Sequence, residues 1–482
     1  MSSVAALPLP YKILPINSFE HMMYADDIIQ SPMTLFIRMT LRGRIEKSIL
    51  IKAIESAVQR HPLLQSTIRG RANAKGKRIH WVHLQEPQSP YIDWAEDERA
   101  PKFPCDKNKS IDLRNEIGCR FFVSQKSGET SLLAQFHHTA VDGKGGTQIL
   151  EDIMVYYQCL RTGKDPKEFL NPIDTSLLEN RNTVHLDKEL QQRTRGDSIA
   201  RIRKYFTYKP EVLRGSARNK NDSAHYPTFH RVELDEKTVS ELKGFSKERG
   251  VTINDALLVQ LFRTINSWNA EHTRGKRGKK SIRIAMPVCM RRAEDVNSPA
   301  ANIVSMCFLD RLPSQIESDS LYESVAQETG QIKDNAEGTS LLRVLDVFTK
   351  LRYGFAMIQK PTPLMPCHTT AVLSNLGIPL QRSSLKSLSE NLDFGEFNIS
   401  GYELMPPFRV NSPIAIGVAT VNGKMNLTMN FDNAILTNED AAEIMSNFAE
   451  RIKKASQKDG VAKGKKSITA WPSLKLCSKV NG

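Results

Sequence analysis

One stretch constrains this 482-residue chain more than any other. An alternating apolar run over residues 130–136 leads directly into His137-His138-Thr139-Ala140-Val141-Asp142-Gly143-Lys144-Gly145-Gly146, and a helical pattern follows at once. Strand side chains alternate between the two faces of a sheet. Leu132, Ala134, Phe136 and His138 therefore share one face, Leu133, Gln135 and His137 the other, and the two histidines are expected to do different work. The glycines turn the chain sharply, and residues 147–160 then place Ile149, Leu150, Ile153, Met154 and Tyr157 on one helical face. Glu151 and Asp152 read as complements to the positive end of that helix dipole. An imidazole at a strand end, beside a glycine-rich turn that lets a small molecule approach the backbone, suits a general base. The competing reading, two histidines packed at a core edge beside an Asp-Gly turn, accounts for most His-containing segments. It accounts poorly for the whole pattern H-H-x-x-x-D-G: with 11 His in 482 residues, its chance occurrence is roughly one in a thousand.

No other arrangement in the sequence competes with it. There is no G-x-S-x-G nucleophile elbow. Gly70…Gly76-Lys77 has the wrong spacing for a phosphate-binding loop and continues with Arg78. A metal held by His137, His138 and Asp142 is disfavoured because neighbouring strand residues point apart, so no metal is expected. Seven cysteines, at 105, 119, 159, 289, 307, 367 and 477, are odd in number and form no C-x-x-C pair, which suits reduced thiols in a cytoplasmic protein. No apolar run approaches the about 18 residues a spanning helix needs, so no transmembrane segment is expected. The proline-broken start MSSVAALPLPYKILP lacks the basic region of a secretory signal. The net charge of +14 raises the question of nucleic acid, but residues 451–482 carry nine Lys or Arg against one Asp. A second cluster, residues 274–280, reads as a solvated loop. Neither is interleaved with aromatics that could stack bases, so no nucleic-acid partner is expected and steering of an anionic substrate is the remaining use of the charge.

Around the motif the chain reads as two units of similar plan. The first holds a strand at 32–41, a helix at 46–59 that His61-Pro62 ends, and a hairpin of strands 118–125 and 130–136 around Lys126-Ser127-Gly128-Glu129. Residues 171–225 are polar and charge-rich, a linker with a short helix. The second holds a strand at 229–234, helices at 235–249 and 252–268, strands at 281–288, 303–310, 370–373, 414–421 and 425–431, and a helix at 438–453. Asn422-Gly423 joins the last two strands, since both residues tolerate positive φ. The length accommodates two cores of about 200 residues each. The expected division is a first unit over 10–170, a linker over 171–225, a second unit over 226–455 and a basic, disordered tail over 456–482.

The motif His137-His138-Thr139-Ala140-Val141-Asp142-Gly143 resembles the HHxxxDG signature of the condensation-domain and chloramphenicol-acetyltransferase-like superfamily. The resemblance runs over about residues 10–455. Arg60-His61-Pro62-Leu63-Leu64 looks like that family's "RHPxL" helix exit. Met286-Pro287-Val288-Cys289-Met290-Arg291 is similar to its "PVNLR" strand end, and Ala301-Asn302-Ile303-Val304-Ser305 to its "GNxxS" segment. Ser374-Asn375-Leu376-Gly377 resembles the "SNLG" of the acetyltransferase-like members. Cys289 stands where Asn is usual and Ala301 where Gly is usual. Asp393-Phe394-Gly395-Glu396-Phe397 lacks the Trp and second Gly of the plant "DFGWG" and reads as a strand with a turn.

The resemblance implies an α+β fold of two chloramphenicol-acetyltransferase-like subdomains, mixed sheets flanked by helices, forming a V with a central tunnel. It implies an acyltransferase in which His138 is the general base and Asp142 pairs with Arg291 to hold the loop. His137 and Gly143 support the site. Ser374, Asn375 and Asn302 are candidate tunnel or oxyanion residues, with the Gly143 amide as a further donor. The co-substrate is acyl-CoA or a phosphopantetheine thioester on an acyl carrier protein. No tightly bound cofactor is expected, and the acceptor is a small alcohol or amine, with alcohol favoured by the SNLG likeness. A monomer is expected. Two other readings remain: a non-catalytic module that binds a carrier protein or lipid, and a basic tail that binds nucleic acid or a membrane surface.

Overall fold

The computed structural model describes residues 13–457, apart from 30, 71–78, 97–109, 180, 182–202, 206, 217–228, 274–279, 335–337, 351–366 and 410–411. The basic cluster at 274–279, most of the 171–225 linker, Cys105, Cys477 and the tail beyond 457 lie outside the described residues.

Alternating apolar side chains build the strands. In chain order they are β1 (Ile13–Pro15), β2 (Thr34–Gly43), β3 (Ser66–Arg69), β4 (His80–His83), β5 (Tyr91–Glu96), β6 (Cys119–Lys126), β7 (Glu129–His137) and β8 (Phe229–Leu234). They continue with β9 (Ile282–Cys289), β10 (Val304–Arg311), β11 (Ala371–Asn375), β12 (Phe397–Met405), β13 (Ile414–Val421) and β14 (Lys424–Phe431). They form a small sheet β1-β4-β3, a five-stranded sheet β12-β2-β7-β6-β5 and a six-stranded sheet β10-β9-β11-β13-β14-β8. Both larger sheets are mixed: β5 runs parallel to β6, and β11 runs parallel to β9 and β13. The two tight hairpins form where positive φ is tolerated, at Ser127-Gly128 and Asn422-Gly423.

Helices α1 (Ser18–Asp26), α2 (Lys47–Arg60), α3 (Gly143–Thr162), α4 (Glu236–Glu248), α5 (Ile253–Glu271), α6 (Leu321–Asp334), α7 (Gly338–Lys350) and α8 (Asn438–Gln457) flank the sheets. Leu50, Ile54 and Val58 of α2 and Ile149, Ile153 and Met154 of α3 pack on Leu132, Ala134 and Phe136 of β7 in one core. A second core joins α5 and α8 to the six-stranded sheet through Leu258, Phe262, Ile444 and Phe448. Burying each such side chain stabilises the fold by about 1.5–3 kcal/mol.

The chain crosses between the sheets once more than its order suggests. β12, late in the sequence, pairs antiparallel with β2 and forms the edge of the five-stranded sheet. A Cβ on Gly417 of β13 would lie 2.0 Å from the Leu404 carbonyl oxygen. That glycine lets β12 press against β13, so the two sheets meet through backbone. The sequence pattern does not foresee β12, α6 or α7.

Helix α3 also departs from expectation. It begins at Gly143 and not at Thr147, and Asp142 caps it by accepting the Gly145 N–H at 2.7 Å. Glycine in a helix costs about 1 kcal/mol relative to alanine, but space forbids a larger residue here. A Cβ on Gly143 would meet Leu376 Cδ2 at 2.9 Å, on Gly145 the Ala301 carbonyl oxygen at 2.9 Å, and on Gly146 Ile37 Cδ1 at 2.7 Å. Because the helix starts early, Glu151 and Asp152 fall in its third turn, past the reach of the helix dipole. Both are buried and paired with arginines instead. The linker likewise packs where it is described: Arg181 donates to both Glu20 oxygens at 2.6 Å.

Candidate active site

β7 delivers the two histidines, and they do face different surroundings. His137 is fully buried. Its Nδ1 accepts the Thr139 N–H at 3.1 Å, which leaves the proton of a neutral ring on Nε2, 3.4 Å from Asp27 Oδ2. Asp27 Oδ1 accepts the Met33 N–H at 2.8 Å, and the Met33 carbonyl accepts the His138 N–H at 2.7 Å. Asp27 and Met33, beside the His137 ring, are thus tied to the backbone of His138.

His138 sits one residue past the strand and keeps partial exposure. Its Nδ1 is buried, which leaves Nε2 as the nitrogen able to face a second molecule. Burial lowers its pKa below the usual histidine value, opposed by its own backbone, Asp142 and Val141. A neutral imidazole with a lone pair available at neutral pH follows. The His138 carbonyl accepts Asn302 Nδ2 at 2.6 Å.

Asp142 receives four donors. Oδ1 accepts from Gly145 N at 2.7 Å and Arg291 Nη2 at 3.0 Å, and Oδ2 from Arg291 Nη1 at 2.7 Å and Ile303 N at 2.8 Å. Burial alone would raise its pKa, but Arg291 and the two backbone N–H groups outweigh it and hold the carboxyl below its ordinary value. Arg291 Nη2 also donates to the Ala301 carbonyl at 2.9 Å. The carboxylate is therefore saturated and has no lone pair to offer a substrate. Gly143 opens α3, where N–H groups lack intrahelical acceptors.

The structure therefore brings His137, His138, Asp142, Gly143, Arg291 and Asn302 into one connected unit. Ser374 and Asn375 stand apart from it. Both are partly exposed at the end of β11, and among the described residues neither bonds to the His138 loop. Asn375 Oδ1 accepts the Gly377 N–H at 2.8 Å and its Nδ2 lies 3.4 Å from Asn254 Oδ1, shaping its own turn. Leu376, between them and Gly377, lies beside the motif: a Cβ on Gly143 would meet its Cδ2 at 2.9 Å.

Sequence reasoning missed a buried cluster beneath this unit. Asp152 of α3 accepts from Arg60 Nε and Arg382 Nη1, both at 2.8 Å, and lies 3.2 Å from His61 Nε2. Burial would raise its pKa, but His61, Arg382 and Arg60 lower it to about 2. Adjacent Glu151 is raised to about 7 by burial, with Arg382 opposing. Two consecutive acids inside an otherwise apolar helix pattern were the available signal. Among the described residues, no group of three His, Cys, Asp or Glu side chains could hold a metal.

The condensation-domain family model matches residues 32–468. The uncharacterised protein Rv2305 of Mycobacterium tuberculosis is 22% identical over 341 residues, 69% of this chain and 75% of its own length. A trichothecene 15-O-acetyltransferase from Fusarium sporotrichioides superposes with a TM-score of 0.65 at 13% identity, covering 94% of this chain and 100% of that one. The starter condensation domain of rhizomide synthetase, in a variant bound to C8-CoA, superposes with a TM-score of 0.63 at 12% identity, covering 92% and 95%. Identities this low speak for the fold alone, and that fold is the one with two subdomains of mixed sheets and flanking helices seen here. With the family match spanning most of its length, this chain belongs to the condensation-domain family.

Proposed function

We propose that the chain is an acyltransferase that moves an acyl group from a thioester, on CoA or on a carrier protein, to a hydroxyl or amine acceptor. The observation that carries the reading is His138: a partly exposed imidazole, held neutral by burial, at the end of a strand whose loop is fixed by Arg291 and Asn302. Nε2 takes the proton from the acceptor as its oxygen or nitrogen attacks the thioester carbonyl. The resulting tetrahedral oxyanion collapses, the C–S bond breaks, and the thiolate takes that proton back from Nε2 and leaves as the thiol. Transfer is direct, without an acyl-enzyme. The Gly143 N–H, at the positive end of α3, is the donor nominated for the oxyanion. The donor class is supported by the likeness to a fold crystallised with C8-CoA, and a hydroxyl acceptor by the likeness to an O-acetyltransferase.

The test is thiol release from acetyl-CoA, octanoyl-CoA and octanoyl carrier protein, each offered primary and secondary alcohols and amines. His138→Ala should lower turnover by about 10²–10⁴-fold with the fold intact. His137→Ala should lower the melting temperature, with the smaller effect on turnover in the protein that remains folded. Intact-protein mass spectrometry should find no acyl adduct. A folded His138→Ala variant with wild-type turnover would overturn the assignment. Wild-type protein that binds octanoyl carrier protein yet releases no thiol with any acceptor would replace it with the binding-module reading.

A further inference from the structure

The segment from Ala300 to Ile303, which leads into β10, bonds to the catalytic loop at three successive residues and to His61 at the fourth. The Ala300 N–H donates to His61 Nδ1 at 3.1 Å. The Ala301 carbonyl accepts from Arg291 Nη2 at 2.9 Å and from Asp142 N at 3.4 Å. Asn302 Nδ2 donates to the His138 carbonyl at 2.6 Å, and Ile303 N to Asp142 Oδ2 at 2.8 Å. From the side of the six-stranded sheet, these four residues and Arg291 hold the backbone of His138 and the Asp142 carboxylate. Four of the segment's five bonds run to the catalytic loop or to Arg291. The fifth, at the upstream end, runs to a histidine outside the motif.

His61 is fully buried, at the junction where α2 ends before Pro62. Because Nδ1 accepts an N–H, it carries a lone pair, and the neutral ring holds its proton on Nε2, facing Asp152 at 3.2 Å. Asp152 is in turn held by Arg60 and by Arg382, an arginine from the loop after β11. The other tautomer would place an N–H against the Ala300 N–H and a lone pair against a carboxylate, and turning the ring over would put a C–H at both contacts. Its orientation is therefore fixed by charge from one side, and it fixes Ala300 on the other.

We infer that His61 is a positioning residue for His138: the acceptor at its Nδ1 sets the place of Ala300, and through Asn302 and Ala301 the place of the His138 carbonyl and of the Arg291–Asp142 contact. The inference rests on the reading of His138 as the base. A displacement of the base by about 1 Å is enough to cost about 10²-fold in rate, so a residue two bonds removed has leverage on turnover without touching substrate.

The experiment compares His61→Leu, which fills the space and supplies neither contact, with His61→Asn, whose Oδ1 can still accept from Ala300. Octanoyl-CoA is the donor, with the best acceptor of the panel above. His61→Leu should lose about 10²-fold in kcat with KM for octanoyl-CoA within about 2-fold, as expected when positioning and not binding is lost. His61→Asn should recover most of that loss. Histidine-labelled protein, with the His138 resonance assigned by its absence in His138→Ala, supplies a readout that needs no turnover. The His138 titration should be displaced in His61→Leu and near wild type in His61→Asn. If wild-type protein transfers no acyl group, the titration alone decides, and the two readings fail separately. Should His61→Leu not fold, His61→Gln, which can still donate to Asp152, takes its place and should behave as the Leu variant does. Wild-type kcat with an unmoved His138 titration in a folded Leu or Gln variant overturns the inference, as does a raised KM at unchanged kcat, or an Asn variant as impaired as the others.

Discussion

Two arginines belong to β9 or its immediate end, and each is paired with a buried aspartate, but they serve different parts of the molecule. Arg283, near the start of the strand, donates from Nε to Asp310 Oδ1 at 2.9 Å on neighbouring β10. Nη2 reaches the Tyr205 and Tyr208 carbonyls and Nη1 the His368 carbonyl, and the guanidinium lies 4.2 Å from the Tyr205 ring centre. The pair knits one sheet to the linker beside it. Arg291, just past the other end, grips both oxygens of Asp142, which comes from the loop after β7 in the other sheet. The electrostatics follow the number of donors. Burial tends to raise both carboxyl groups, yet four donors hold Asp142 below its ordinary pKa, while Arg283 and Ser281 leave Asp310 raised. The same residue pair, in one strand, is a local brace at one end and a clamp on the catalytic loop at the other.

The comparison breaks most visibly in turnover. Arg291→Ala and Asp142→Ala should each lower kcat by about 10²-fold through misplacement of His138, and destabilise by about 3–5 kcal/mol because one buried charge is left alone. Arg283→Ala should destabilise on the same scale, yet leave kcat within a few-fold in the folded fraction, measured below its melting temperature. Equal kcat losses for Arg283→Ala and Arg291→Ala would erase the distinction.

A double-mutant cycle sharpens it. Asp142 and Arg291 share two bonds, so their destabilisations should fall short of additivity by about 0.5–3 kcal/mol. Asp142 with Arg292 should add, since Arg292 bonds to Asp295 at 3.2 Å and is partly exposed. Urea titrations of the double variants measure both numbers, and coupling to Arg292 in place of Arg291 would reassign the clamp.

The smallest expected effect is in pH dependence, and the two aspartates should differ in sign. A carboxyl lowered on folding stabilises the protein above its unfolded pKa of about 3.9 and loses that contribution as pH falls through the folded value. Asp142→Asn should therefore flatten the loss of stability below about pH 4. A carboxyl raised on folding opposes stability while ionised, and that opposition disappears as pH falls through its folded pKa. Asp310→Asn should remove a gain in stability on mild acidification, and Glu151→Gln should remove another as pH falls through about 7. Slopes of unfolding free energy against pH for the three variants check the signs.

Much of the fold was legible locally. Alternation marked β6, β7, β13 and β14, and a 3.6-residue period marked α2, α3 and α8, because each element buries one face and the pattern repeats within a few residues. Where patterns misled, a distant contact was the cause. Gly143, Gly145 and Gly146 read as a turn, but they open a helix capped by Asp142, with Leu376, Ala301 and Ile37 lying where their side chains would go. Glu151 and Asp152 read as dipole complements, but they meet Arg382 from a loop some 230 residues on.

The sequence by itself determined the strand, the turn, the helix and the HHxxxDG run that marks His138, and the resemblance it carries named Arg291 as the partner of Asp142. Only the tertiary structure decided that Asn302 holds the His138 carbonyl, that β12 returns to the first sheet, and that His61 reaches Ala300 across 239 residues. The physical reason is that periodicity records which face of an element is buried, whereas a buried histidine, carboxylate or arginine is satisfied by whichever partner the packing of both sheets brings within hydrogen-bond reach.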